Sequence, residues 1–192
     1  MIDRAQLKTM AKDQIKGNVW LYLGLSLVIS LILSAVSFTV VGAIVLNGPL
    51  QLGLVMFTLE IVRTKKGTFE TGFNGFKQFG NSLVASLIMM VCTILWSLLL
   101  IVPGIIAAIR YSMTYYILAD NPEMSGSDAV NKSKEMMKGH KWEFFVLGLS
   151  FIPWHLLGII TLGIAYIWIC PYMSATFANY YEVLKNETPV NA

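Results

Sequence analysis

Charge is what this chain has least of. Of its 192 residues, 13% are charged and 56% hydrophobic, against about 25% and about 45–50% in an ordinary soluble domain. A soluble fold of that composition would expose more apolar surface than water tolerates, so a bilayer is the natural solvent. Cysteine is nearly as scarce. Cys92 and Cys170 both sit inside apolar runs, which argues against a disulfide framework. The two histidines, His140 and His155, fall where opposite membrane faces are expected, and no Cys/His/carboxylate group has zinc spacing. No metal and no cofactor is expected. There is no GxSxG, Ser97 has no base nearby, and no catalytic residues emerge. Carboxylates are missing from the long apolar runs, which weakens a proton-coupled pump. No basic stripe alternates with stacking aromatics, so nucleic acid is not an expected partner. The reading is not that of an enzyme. The first apolar stretch follows a long, charged N-terminus without a small-residue cleavage site, so it is expected to stay in place rather than act as a cleaved signal.

What is there is three charge-poor tracts. No charged residue lies between Lys16 and Glu60 or between Glu143 and Glu182, and only Arg110 between Lys77 and Asp120; the gaps hold 43, 38 and 42 residues respectively. One membrane helix needs about 20 residues. A helix of about 40, rising 1.5 Å per residue, would be about twice too long. Each tract therefore reads as two helices joined by a turn.

Helix breakers fall near the midpoints: Gly42 and Asn47-Gly48-Pro49, then Pro103-Gly104, then Gly158 and Gly163. Proline removes a backbone donor and glycine accepts the dihedrals of a reversal. Pro49, Pro103 and Gly104 are thus assigned to hairpin tips. WSLLLIVPGI from Trp96 also echoes WHLLGIITLGI from Trp154, as a repeated hairpin would. The expected fold is all-α, a polytopic membrane protein of six transmembrane helices in three hairpins, spanning about 19–41, 49–63, 81–102, 104–119, 143–159 and 162–184. Around them, 1–18 is an amphipathic helix, 64–80 and 120–142 are interfacial segments, and 185–192 is a tail, so that hairpins occupy 19–63, 81–119 and 143–184.

Arg110 apart, every lysine and arginine lies in four groups, 4–16, 63–77, 132–141 and Lys185, and no proposed tip carries charge. Basic residues near span ends stay cytoplasmic. Both termini and both long loops are therefore placed inside. In the N-terminal segment Asp3 can cap a helix with Leu7, Met10, Ala11 and Ile15 on one face and Gly17 at its end. Phe69, Phe73, Phe76 and Phe79 recur three or four apart. Ser125 or Ser127 can cap a helix whose face is Ala129, Val130, Ser133, Met136 and Met137, with Gly139 as its stop. Such helices lie in the headgroup layer, basic residues toward anionic lipid, or pack within the molecule. Membrane lipids, anionic on the cytoplasmic side, are the expected partners. A membrane-protein partner or second copy is a further option, since Ser30, Ser34, Ala35, Ser37 and Gly42 permit close helix contact.

Arg110 lies about 10 Å along its helix from Pro103. A charge at that depth faces a partner, a polar cavity or the headgroups. Glu60, Glu143, Glu182, Tyr111 and Tyr172 are its candidate partners, and it reads either as a strut between helices or as an anion or lipid contact. Lys138, His140, Lys141 and Trp142 form a basic, aromatic anchor suited to the interface. In LADNP, Asp120 or Asn121 can cap and Pro122 ends the helix.

With these residues in view, the chain resembles a bacterial membrane-protein family known as domain of unknown function nine hundred and seventy-five. The similarity is carried by RAQLKTMAKDQIKGN, by NGPLQLGL at 47–54, by FNGFKQF at 73–79, and by the run from Trp96 through ILADNP and KSKEMMKGHKW to Phe145. PYMSATFANYYEVL adds to it. A looser similarity links the proline–glycine turn and following arginine to membrane domains attached to some bacterial glycerophosphodiesterases, whose catalytic domain is absent here. The resemblance implies a bacterial, multi-spanning protein of the cell membrane. It carries no agreed activity, and only an association with envelope stress, transport or peptide-antibiotic functions. The expected role is a non-enzymatic accessory or regulatory component of the envelope. A small transporter or lipid handler with a cavity at Arg110 is the alternative, and a membrane enzyme the weakest.

Overall fold

In an apolar medium every backbone N–H and C=O has to be met inside its own segment, and the helix is the open-chain solution. The computed structural model describes residues 4–36 and 40–187, and all regular structure among them is helical. The helices are α1 Arg4–Ile15, α2 Val19–Val36, α3 Val40–Thr64, α4 Phe79–Leu99, α5 Ile101–Tyr111, α6 Thr114–Asp120, α7 Gly126–Met136, α8 Lys141–Leu149, α9 Ile152–Ile160 and α10 Tyr166–Glu187. A 3-10 segment, Phe69–Gln78, links α3 to α4. The all-α expectation stands.

The six-span count does not follow from the helices themselves. Among the described residues, three stretches are long and apolar enough to cross a membrane: Ile44–Thr64, Phe69–Leu98 and Lys141–Ile160. A fourth is reached if α1 and α2, bent by 88° at their junction, count as one. The predicted span 104–119 is instead two short helices parted at Ser112-Met113, and the last predicted span becomes α10, whose second half carries Asn179, Glu182 and Lys185.

Two of the three expected tips are displaced. Pro49 is not at a turn but inside α3, and Gly48, Pro49 and Leu50 are buried. The helix that holds the span expected at 49–63 starts at Val40, and residues 37–39, which join it to α2, lie outside the described residues. The reason is packing: the 3-10 segment lies on this stretch so closely that a Cβ on Gly75 would overlap the Pro49 carbonyl oxygen, and one on Gly53 the Gly72 carbonyl oxygen. The second reversal is at Leu100, in extended conformation (φ −165°, ψ 150°), and Pro103 and Gly104 occupy the first turn of α5. Proline is tolerated there because its missing N–H would be unpaired anyway. Gly104 brings α5 against Ser97 of α4, where a Cβ would stand 3.0 Å from the Ser97 Cα. The third reversal is as expected, with Leu162 (φ 51°) and Gly163 (φ 94°) left-handed.

The segments expected at the interface pack inward. α7 is capped by Ser125, whose hydroxyl accepts the Asp128 N–H at 3.2 Å, and ends before Gly139 (φ 85°). Its predicted face, Ala129, Val130, Ser133, Met136 and Met137, is buried against the bundle. α1 buries Leu7, Ala11, Gln14 and Ile15, with Gly17 (φ 88°) at its end; the Asp3 cap lies outside the described residues. Inside, the Gln14 amide donates to the Val62 carbonyl at 3.0 Å and to Asn179 Oδ1 at 3.1 Å, and Asn179 donates back at 2.6 Å. Lys8 and Lys12 do not turn away from the protein as expected. The Lys8 amine donates to the Ser150 carbonyl at 3.2 Å, 4.6 Å from the Phe151 ring centroid, and Lys12 stands over Trp154 and Tyr172. The small residues Ser30, Ser34 and Ala35 of α2 are exposed.

Candidate functional site

The polar chemistry gathers where α3, α6 and α10 end. Arg63 meets Asp120 through Nη1–Oδ1 at 2.8 Å and Nη2–Oδ2 at 2.9 Å, and its Nε donates to Glu182 Oε1 at 2.8 Å. Lys185 Nζ reaches Asp120 Oδ2 at 2.7 Å and the Tyr181 hydroxyl donates to the same oxygen at 2.9 Å. Asp120, 10% exposed, thus takes four donors from two other helices. Burial pushes its carboxyl up, but the bonds from Arg63, Lys185 and Tyr181 outweigh that and hold it below the usual carboxylate range. Of the two expected caps, Asn121 takes the role at the end of α6, its amide donating to the Ile117 carbonyl at 2.8 Å, while Asp120 serves the network.

Beside this network lies a hollow of about 360 Å³ walled by Glu60, Arg63, Thr64, Thr71 and Asp120. A second, of about 450 Å³, is lined by Asn74, Lys77, Gln78, Asn81 and Glu123, and Met56 borders both. The Gln78 Oε1 atom at its edge is buried and has no hydrogen-bond partner among the described residues. Glu60 is occupied, accepting the Thr68 N–H at 3.0 Å and hydroxyl at 3.2 Å.

Arg110 is not drawn into the network. Glu182 pairs with Arg63, Glu60 with Thr68, and Glu143 lies 3.4 Å from His140 Nδ1, so the three carboxylates expected to serve Arg110 have other partners. Its half-buried side chain borders a hollow of about 160 Å³ with Trp96, Pro103, Ile106 and Ala107. That hollow is apolar and small. The backbone carbonyl of Arg110 is the better-held group: Ser133 of α7 donates to it at 2.8 Å and accepts the Met113 N–H at 3.2 Å. One hydroxyl therefore satisfies both groups freed by the break between α5 and α6.

The anchor keeps part of its expected form. Trp142 is 72% exposed and Lys138 exposed, while Lys141 and His140 are half-buried. The Tyr180 hydroxyl donates to the His140 carbonyl at 3.3 Å. His155 lies elsewhere, 3.3 Å from the Tyr166 hydroxyl. Arg110 and the anchor are not brought together into one site by any hydrogen bond or ion pair among the described residues. The Asp120 network escaped sequence reasoning, although a readable signal existed: Arg63, Asp120 and Glu182 each end a predicted span on the same side.

Fold and polar end together define an all-helical protein with apolar helices compatible with membrane insertion. The chain belongs to the family described as Protein of unknown function (DUF975), which it matches over residues 1–109 and again over 98–188. No curated protein and no solved structure matches it, and the looser similarity to glycerophosphodiesterase membrane domains has no counterpart in these comparisons.

Proposed function

We propose that the chain is a multi-pass protein of a bacterial cell membrane, non-enzymatic, acting as an accessory or regulatory component that packs against lipid or a membrane complex. The observation that carries this is the outward apolar surface. Only 17% of an apolar 18-residue window within Phe69–Leu98, and 17% of one within Lys141–Ile160, is buried within the protein; Leu98, Ile160 and Leu162 are 81%, 77% and 94% exposed. Such a surface needs hydrocarbon or an apolar partner. Six crossing arms in three hairpins, with both termini on the cytoplasmic side, remain the topology that best accounts for it. α5 with α6 and α8 with α9 each act as one interrupted arm, and the Arg63–Asp120–Glu182–Lys185 network marks the inner end.

Labelling tests the topology. With Cys92 and Cys170 replaced by serine, Leu100→Cys and Leu162→Cys are expected to react with an impermeant maleimide from outside the cell, and Lys138→Cys only after permeabilisation. Reaction of Leu100→Cys or Leu162→Cys from the inside alone overturns the arrangement. Crosslinking in native membranes followed by mass spectrometry tests the role: a recurring membrane-protein partner is expected. The lipid-handling alternative rests on the hollow at Arg110 and requires Arg110→Met to reduce lipid co-purification without loss of folded protein.

A further inference from the structure

α1 carries Arg4, Lys8 and Lys12 four residues apart, hence on one face. Its single carboxylate, Asp13, is taken by Lys16 at 2.7 Å. Lys8 is held below the usual lysine range by burial first and then by the charges of Arg4 and Lys12, so the row is short of negative charge. Lys12 sits 5.8 Å from the Trp154 ring centroid and 5.7 Å from that of Tyr172. Those ring faces position the ammonium without neutralising it. At this point α1, α9 and α10 enclose a groove of about 280 Å³, lined by Lys12, Lys16, Trp154, Trp168, Ile169 and Tyr172. Its wall is apolar and aromatic and its rim cationic. The volume, near the lower end of the about 300–1,000 Å³ usual for ligand pockets, suits part of one acyl chain. Trp168 is 61% exposed.

We propose that this groove is a binding site for one anionic phospholipid, its phosphate at Lys12 and Lys16 and one acyl chain along Trp154, Trp168 and Ile169. Charge complementarity selects the occupant. A zwitterionic lipid would bring its own cation to a rim that already has an excess, and a purely apolar partner would leave Lys12 unmatched. The site is separate from the Lys138–Trp142 anchor and from Arg110. It rests on the membrane reading above.

The test is native mass spectrometry of the full chain in detergent, with phosphatidylglycerol and phosphatidylcholine of identical acyl chains added at equal concentration. Selective retention of phosphatidylglycerol is expected, with the preference falling about five-fold for each of Lys12→Gln and Lys16→Gln. Lys12→Arg with Lys16→Arg should keep it. Phosphatidylglycerol with brominated chains is expected to quench tryptophan emission in the parent and far less in a Trp154→Phe, Trp168→Phe variant. This second readout applies to the parent protein even if a lysine variant misfolds. Equal retention of the two lipids, a preference unmoved in folded Lys12→Gln, or quenching unchanged by the tryptophan replacements overturns the site. Displacement by inorganic phosphate alone at equal concentration also overturns it, since that marks a free-anion site. A chain that needs detergent to leave the membrane but shows no lipid preference loses this site and keeps the membrane reading; a chain released by carbonate washing loses both.

Discussion

Ser133 is fully buried and serves two backbone groups, the Arg110 carbonyl and the Met113 N–H. Ser133→Ala leaves the Arg110 carbonyl and the Met113 N–H without it, at about 1–3 kcal/mol for each buried group so stranded. A clear drop in the thermal midpoint in detergent is expected, and an unchanged midpoint would show that water replaces the hydroxyl. Asp120 gives a signed pH effect. Its pKa is depressed in the folded state, so its contribution is complete above the ordinary value of 3.8 and is lost as pH falls through the lower folded value. Stability measured from pH 6 down to below 4 should therefore fall in the parent, while Asp120→Asn starts lower and falls less. At this scale much was legible from the sequence. Ser125, Gly17 and Gly139 do what their residue types suggest, and the buried face of α7 matches its apolar spacing. At Arg110 the charge points to the side chain, which borders a hollow, whereas the hydrogen bond from Ser133 to its carbonyl leaves no mark in the sequence.

At the scale of elements, the interlock of α3 with the 3-10 segment is the least visible feature of the sequence and among the most demanding. In a 3-10 helix residues three apart eclipse each other, so Gly72 and Gly75 share one edge and Phe73, Phe76 and Phe79 another. The phenylalanine spacing was read; the glycine spacing beside it was not. Those glycines let two backbones approach within a distance no side chain permits. Gly75→Ala is expected to abolish or sharply reduce the folded fraction seen by size-exclusion chromatography, whereas Gly80→Ala, where a Cβ meets nothing within 4 Å, should leave it intact. Equal behaviour of the two would mean that the segment lifts off α3 at little cost. The same contact explains why Pro49 misleads. A local breaker signal competes with burial on a neighbouring backbone, and in α3 burial wins. The charge gaps, by contrast, depend on hydrocarbon thickness and not on any single turn residue, and among the described residues three helical stretches are long and apolar enough to cross a membrane.

For the whole molecule, the clasp between Gln14 and Asn179 joins the first helix to the last. Two buried amides exchange hydrogen bonds and Gln14 adds one to the Val62 carbonyl. Asn179→Ala strands Gln14 inside the protein, so α1 should loosen first and trypsin should cut at Lys8, Lys12 and Lys16 faster than in the parent. Cutting at Lys138, on another segment, should hardly change. If α1 stays protected, its apolar face alone holds it.

That clasp also sets an order of events during synthesis. Gln14 emerges from the ribosome 165 residues before its partner, so the N-terminal helix stays half-dressed until the final helix is made. Chains that stall short of α10 would all display the same loose end, a flag by which a protease could distinguish an unfinished copy from a completed one.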